Sequence, residues 1–128
     1  MIKKKINHFI KLGVNLINLI HPKSTVSKYV TLGKGICIMA NAVINPGSSI
    51  EDGVIINTSA SVDHDCVIKK FSHISPNCSL SGGVELGELS HIGTGSSIHP
   101  NIKIGKNVKT GVGSNIFKNI QSNVIYKN

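Results

Sequence analysis

Residues 44–68 read "INPGSSIEDGVIINTSASVDHDCVI", and an aliphatic residue returns at every sixth position: Ile44, Ile50, Ile56, Val62 and Ile68. The register extends in both directions. Stepping by six from Ile20 to Ile116 meets sixteen aliphatic residues in seventeen positions, Thr110 being the exception. A second column from Ser24 to Ile120, through Ala42, Ser48, Ala60, Cys66, Ser72 and Cys78, holds only small or β-branched residues. An even period suits alternating strand side chains and excludes the 3.6-residue period of a helix. The two columns lie two positions apart, so both face one side of a short strand. Turn residues such as "NPGS", "EDG", "SPN", "SGG" and "HPN" separate the strands. A short strand and a corner, repeated, predicts an all-β parallel β-helix whose coils stack and bury their aliphatic column.

Composition narrows the function. At 128 residues the chain allows one domain. All fourteen basic side chains are lysine, the net charge is +8, and aromatic residues are 4% of the chain. Nucleic-acid readout leans on arginine and on aromatic platforms, so no nucleic-acid partner is expected. A phosphorylated small molecule suits the same charge. Cys37, Cys66 and Cys78 form no CxxC pair and read as reduced thiols, neither a disulfide framework nor a zinc site. Cys66 and Cys78 fall in the small inward column, where packing is the expected role.

The first nineteen residues fall outside the repeat and predict a short helix, followed by a strand over "VNLINLI" at 14–20. A basic amphipathic membrane anchor is the alternative, but Gly13 and three asparagines spoil its apolar face. Neither a signal peptide nor a stable membrane insertion is expected. The division is an extension over 1–19, a β-helix over 20–122 in nearly six coils, and a tail over 123–128.

Stacking turns offsets into geometry. Residues eighteen apart lie one above another at ~4.8 Å, as neighbouring strands do. His73, His91 and Lys109 then form one vertical column, and His64 stacks beneath Gly82, whose missing side chain leaves room above the imidazole. His64 and His73 are nine residues apart, half a coil, and so lie on different sides of the prism. If both serve one site, that site lies between protomers.

The [Ile/Val/Leu]-x4-small pattern resembles the hexapeptide-repeat acyltransferases, which implies a left-handed helix, three hexapeptides per triangular coil, and a homotrimer. The segment Asn57, Thr58, Val62, His64, Cys66, Ile68, then Ser72 to Pro76, is similar to the sialic acid O-acetyltransferase and bacillosamine N-acetyltransferase family. That resemblance implies a cytoplasmic, acetyl-CoA-dependent transfer to an amino or hydroxyl group of a sugar or nucleotide-sugar in bacterial glycan biosynthesis. It implies His64 as general base, Asp65 orienting it, and His73 at the thioester. It further implies Gly82, Gly111 and Gly113 as coenzyme contacts and Asn57 as an acceptor contact. Histidine suits a base working near neutral pH, and direct transfer needs no nucleophilic side chain and no metal. The family's N-terminal Rossmann-like domain and C-terminal Gly-x-Pro-Ala-Lys are expected to be largely missing.

Other readings stand beside this one. His64 could simply cap a corner, and for His91 and His99 a structural role is favoured. Lys103, Lys106 and Lys109 could meet coenzyme phosphates or be solvated turn lysines. A non-catalytic β-helix trimerisation remnant is the main rival function. A γ-type carbonic anhydrase is disfavoured, since its zinc needs three converging histidines.

Overall fold

The computed structural model describes residues 2–127, without the Ile2 side chain. Met1 and Asn128, in the expected extension and tail, lie outside the described residues. Helix α1 (Ile2–Lys11) precedes eighteen two-residue strands. They wind into a left-handed parallel β-helix of about six coils, with one strand per coil on each of three faces. Face 1 stacks β1 (Leu19–Ile20), β4 (Cys37–Ile38), β7 (Ile55–Ile56), β10 (His73–Ile74), β13 (His91–Ile92), β16 (Lys109–Thr110) and β18 (Ile125–Tyr126). Face 2 stacks β2 (Thr25–Val26), β5 (Val43–Ile44), β8 (Ser61–Val62), β11 (Ser79–Leu80), β14 (Ser97–Ile98) and β17 (Asn115–Ile116). Face 3 stacks β3 (Thr31–Leu32), β6 (Ser49–Ile50), β9 (Val67–Ile68), β12 (Glu85–Leu86) and β15 (Lys103–Ile104).

The register explains the two columns. His73 pairs with Ile55 below and His91 above, an eighteen-residue step. The second residue of each strand points inward, and Ile56, Ile68, Ile74, Leu86 and Ile92 are fully buried. The small column is buried beside it, where the chain leaves a corner and lacks room for bulk. Its serines close the corners: Ser72 Oγ donates to the Lys69 carbonyl at 2.7 Å and Ser96 Oγ to that of Gly93 at 2.6 Å. Among the described residues no buried side-chain polar atom lacks a partner.

From Gly35 to Gly113 each corner is a tight turn whose second central residue has positive φ, and these residues recur every six positions. Most are glycine or asparagine, the residues that enter this region at least cost. All four prolines, Pro22, Pro46, Pro76 and Pro100, occupy the first central position, where a fixed negative φ is wanted.

Two expectations need correction. Only Leu19–Ile20 of the expected strand at 14–20 pairs, because a β-helix strand is two residues long. The stretch before it follows the edge between faces 3 and 1, where Leu16 meets Gly35. There the Asn18 side chain accepts from the Ile36 N–H at 3.0 Å and donates to the Gly33 carbonyl at 2.8 Å. At the other end, the step shortens from eighteen to sixteen after β17: Ile104 bridges Ile120, and Lys109 pairs with Ile125. Ile120 therefore continues the large column and not the small one, and the sheet runs on past residue 122.

Helix α1 packs along the same edge between faces 3 and 1. Lys3 Nζ lies 2.6 Å from Glu88 Oε1, and Ile6 and the Phe71 ring close over Gly53, which has no side chain to obstruct them. No helix among the described residues is long and apolar enough to cross a membrane.

Candidate active site

His64 and Asp65 are the two central residues of a corner between faces 2 and 3. Asp65 takes the positive φ, 57°. Its Oδ2 lies 2.9 Å from His64 Nδ1. Gly47, one coil below, is what admits the carboxylate, since a Cβ there would collide with Asp65 Oδ1. On the other side, Asp63 Oδ1 accepts from the His64 N–H at 2.8 Å and from Asn45 Nδ2 at 2.9 Å. The Asp65 hydrogen bond, then the Asp63 charge, hold the His64 pKa above the usual imidazole value. The hydrogen bonds from Asn45 and from His64 hold Asp63 below the usual carboxylate value.

Gly82 lies directly over this imidazole, but the gap its missing side chain leaves is not empty. A Cβ at Gly82 would stand 2.6 Å from both Cε1 and Nε2 of His64. The ring itself fills the space, lying against Gly82 of the coil above. His64 borders a shallow depression of about 370 Å³, lined also by Asp65, Ser81, Gly82, Pro100 and Asn101.

The other predicted residues lie elsewhere. His73 points outward from face 1, which is opposite the corner bearing His64, and the buried aliphatic core separates them. His73 Nε2 is 3.2 Å from Asn57 Nδ2, and its ring stacks on that of His91 with centroids 4.5 Å apart and planes 17° apart. Burial, then the His91 charge, push the His73 pKa down. Burial, then Lys109, do the same to His91. Gly111 stands three coils above Asn57 on the edge between faces 1 and 2, with Gly113 in the same corner at φ 66°. One chain thus builds two groups: His64, Asp65 and Gly82 on one edge, and Asn57, His73, Gly111 and Gly113 on and beside the opposite face. The sequence reading passed over Asp63 and Asn45. Their offset of eighteen on the corner carrying His64 was the available signal.

Most of the remaining candidates have structural partners. Lys103 pairs with Glu85 at 3.0 Å and Lys106 with Glu88 at 3.7 Å on face 3 and its edge. A larger depression, about 510 Å³, lies among these pairs beside the shortened coil. It contains neither histidine. Cys66 and Cys78 are buried, and burial raises both thiol pKa values, so neither is a ready nucleophile. His99 packs edge-on against Phe117. Among the described residues no cluster of three or more His, Cys, Asp or Glu is placed to hold a metal.

Stacked hexapeptide coils, a histidine–carboxylate pair on one edge and a glycine seat above it define the class: a hexapeptide-repeat β-helix. No protein-family model matches the chain. Solved structures do. The acetyltransferase domain of PglB from Neisseria gonorrhoeae, in complex with acetyl coenzyme A, is 43% identical over 93% of this chain and 58% of its own, with a TM-score of 0.92. PerB from Caulobacter crescentus, in complex with CoA and GDP-perosamine, is 36% identical over 98% of this chain and 61% of its own, with a TM-score of 0.97. WeeI from Acinetobacter baumannii, 23% identical over 95% of this chain and 60% of its own, shares the fold at a TM-score of 0.90. Over nearly its whole length the chain is thus similar to hexapeptide-repeat sugar acetyltransferases. It spans about three-fifths of the length of these structures.

Proposed function

We propose that the chain carries the acetyl-transfer half of an acetyl-CoA-dependent sugar N- or O-acetyltransferase, with His64 as the base. The observation that carries this reading is the His64–Asp65 pair seated on Gly82, in a chain 43% identical to a domain crystallised with acetyl coenzyme A. With Nδ1 protonated and donating to Asp65, Nε2 carries the free lone pair, on a ring that lines the depression. It takes the proton of the acceptor amine or hydroxyl as that atom attacks the thioester carbonyl carbon. The tetrahedral adduct collapses, the C–S bond breaks, and the imidazolium returns the proton to the departing thiolate. The products are the acetylated sugar and CoA. Asp65 favours the imidazolium formed midway, which strengthens the base.

A cytoplasmic homotrimer completes the reading. Face 1 exposes an apolar strip in which Leu19 is 61% and Met39 38% accessible, running up through Cys37 and Ile55 to His73. Covering that strip with the His64 edge of a second copy brings the two groups of residues to one cleft. Asn57 and His73 then face acceptor and thioester, with Gly82, Gly111 and Gly113 along the coenzyme. The acceptor is an amino or hydroxy sugar, free or nucleotide-linked, by analogy with the GDP-perosamine bound to PerB.

Calorimetric titration with acetyl-CoA, followed by a free-thiol assay against amino and hydroxy sugars, tests the reading. Saturable binding and turnover on one sugar class are expected. Mixed trimers of His64→Ala and His73→Ala chains should recover part of the activity that each lacks alone. Absence of acetyl-CoA binding refutes the transferase, and binding with no turnover on any sugar favours a trimerisation remnant.

A further inference from the structure

Two outward histidines on face 1 have the same local geometry with one difference. His73 Nε2 meets Asn57 and His91 Nε2 meets Ser75, in each case a residue sixteen positions earlier at the end of the strand below. Asn57 is itself anchored: its Oδ1 accepts from the Thr58 N–H at 2.8 Å. That contact fixes which end of the amide is which, because turning it over would set two N–H donors against each other. The NH₂ end therefore faces His73, and His73 Nε2 accepts. Ser75 has no comparable lock. Its hydroxyl donates or accepts equally, and the next residue is Pro76, which has no N–H.

We propose that Asn57, locked by the Thr58 N–H, is a positioning residue that holds His73 in its neutral, Nδ1-protonated form, so that face 1 presents a fixed N–H donor to the ligand. The surroundings agree. Ile55 lies below His73 and the stacked His91 above, with Lys109 beyond it; among the described residues no acidic side chain pairs with the ring. Burial and the His91 charge both disfavour the imidazolium. His73 Nδ1 has no hydrogen-bond partner among the described residues. It is thus the donor on offer, and the acyl carbonyl oxygen of acetyl-CoA is the acceptor that suits it. This last assignment rests on the acetyl-transfer reading; the tautomer does not.

Long-range proton–nitrogen spectra of the full chain, labelled at histidine nitrogen, read the protonated ring nitrogen directly. At a pH above its titration, His73 is expected to show one form, protonated at Nδ1. Asn57→Asp replaces the facing donor with an acceptor, so Nε2 should become protonated and the titration midpoint should rise. Thr58→Pro removes the locking N–H together with the Thr58 hydroxyl, which also donates to Asn57 Oδ1, at 3.4 Å. It keeps the carbonyl that accepts from Asn77, and it reproduces the turn residue Pro76 found one coil above. This variant should fold normally and show both tautomers. A wild-type His73 protonated at Nε2, or a tautomer unchanged in both variants, overturns the proposal and leaves the transferase reading untouched. The ligand half is read by titrating wild type and Asn57→Asp with acetyl-CoA and with CoA. Selective weakening of acetyl-CoA supports it, and equal effects on both ligands overturn it.

Discussion

Gly82→Ala isolates the seating of the base from the fold. Gly82 does not have a positive φ, so the backbone accepts alanine without strain. The new methyl would stand 2.6 Å from Cε1 and Nε2 of His64 and 3.2 Å from Cδ2. Ordinary carbon contacts lie at about 3.5–4.0 Å, so the imidazole must retreat by about 1 Å. It can do so, because it is the end of a flexible side chain with 62% of its surface exposed. The melting temperature should therefore hardly move. A displacement of about 1 Å at a reacting group costs on the order of 10²-fold in rate, and the loss should fall on kcat more than on KM for acetyl-CoA. Gly83→Ala is the contrasting control. Its φ of 71° and the Asn101 side chain beside it make that change costly to the fold as well. Stopped-assay kinetics by thiol release, paired with thermal melts, separate the two. Wild-type turnover in Gly82→Ala, with an unshifted melt, would refute the claim that the glycine exists to seat the base.

Other perturbations test the charge on the base and the core. Asp65→Asn keeps a residue that tolerates positive φ but removes the first cause of the raised His64 pKa. The acid limb of the pH–rate profile should move to lower pH, and the plateau rate should fall as the base weakens. A raised folded-state pKa adds stability that is present below the unfolded value of ~6.5 and is lost as pH rises through the folded value. Asp65→Asn should therefore lower the melting temperature more in acid than in alkali, which melts across that range will show. Ile74→Ala removes a side chain with 0% exposure from the middle of the large column. It should cost about 2–5 kcal/mol in urea unfolding, and a smaller loss would mean that the coils close over the cavity.

The architecture was legible because each coil closes in eighteen residues, and a change in that step shifts every inward residue above it. Ile44, Ile50 and Ile56 had to be apolar, so the sequence shows it. The end of the solenoid was not legible, and Asn119 is the reason. It falls on the six-residue beat expected for positive φ, yet its side chain accepts from the Lys103 N–H at 2.8 Å, taking the place of a backbone ladder bond while the coil shortens. The corner conformation reappears at Asn123. The separation of His64 from His73 followed from their spacing alone, since half a coil is half a coil in any triangular prism. The filling of the Gly82 gap did not, because it depends on which way the His64 ring turns.

The positive-φ corners also show why chemistry gathers where it does. A β-helix this narrow spends its inward positions on packing, so only corners and outward strand positions can carry function. At the corners from Gly35 to Gly113, the second central residue takes positive φ, and glycine or asparagine does so at least cost. Between Gly35 and Gly113 the exceptions are Ser59, Asp65, Phe71 and Leu89. Phe71 and Leu89 share the edge on which α1 lies, where Phe71 packs between Gly53 and the helix. Ser59 follows Thr58, whose N–H locks Asn57. Asp65 turns its carboxylate back onto His64. At Asp65 the turn that closes the coil also brings the carboxylate to the imidazole, so the residue that bears the backbone strain is the one that sets the base.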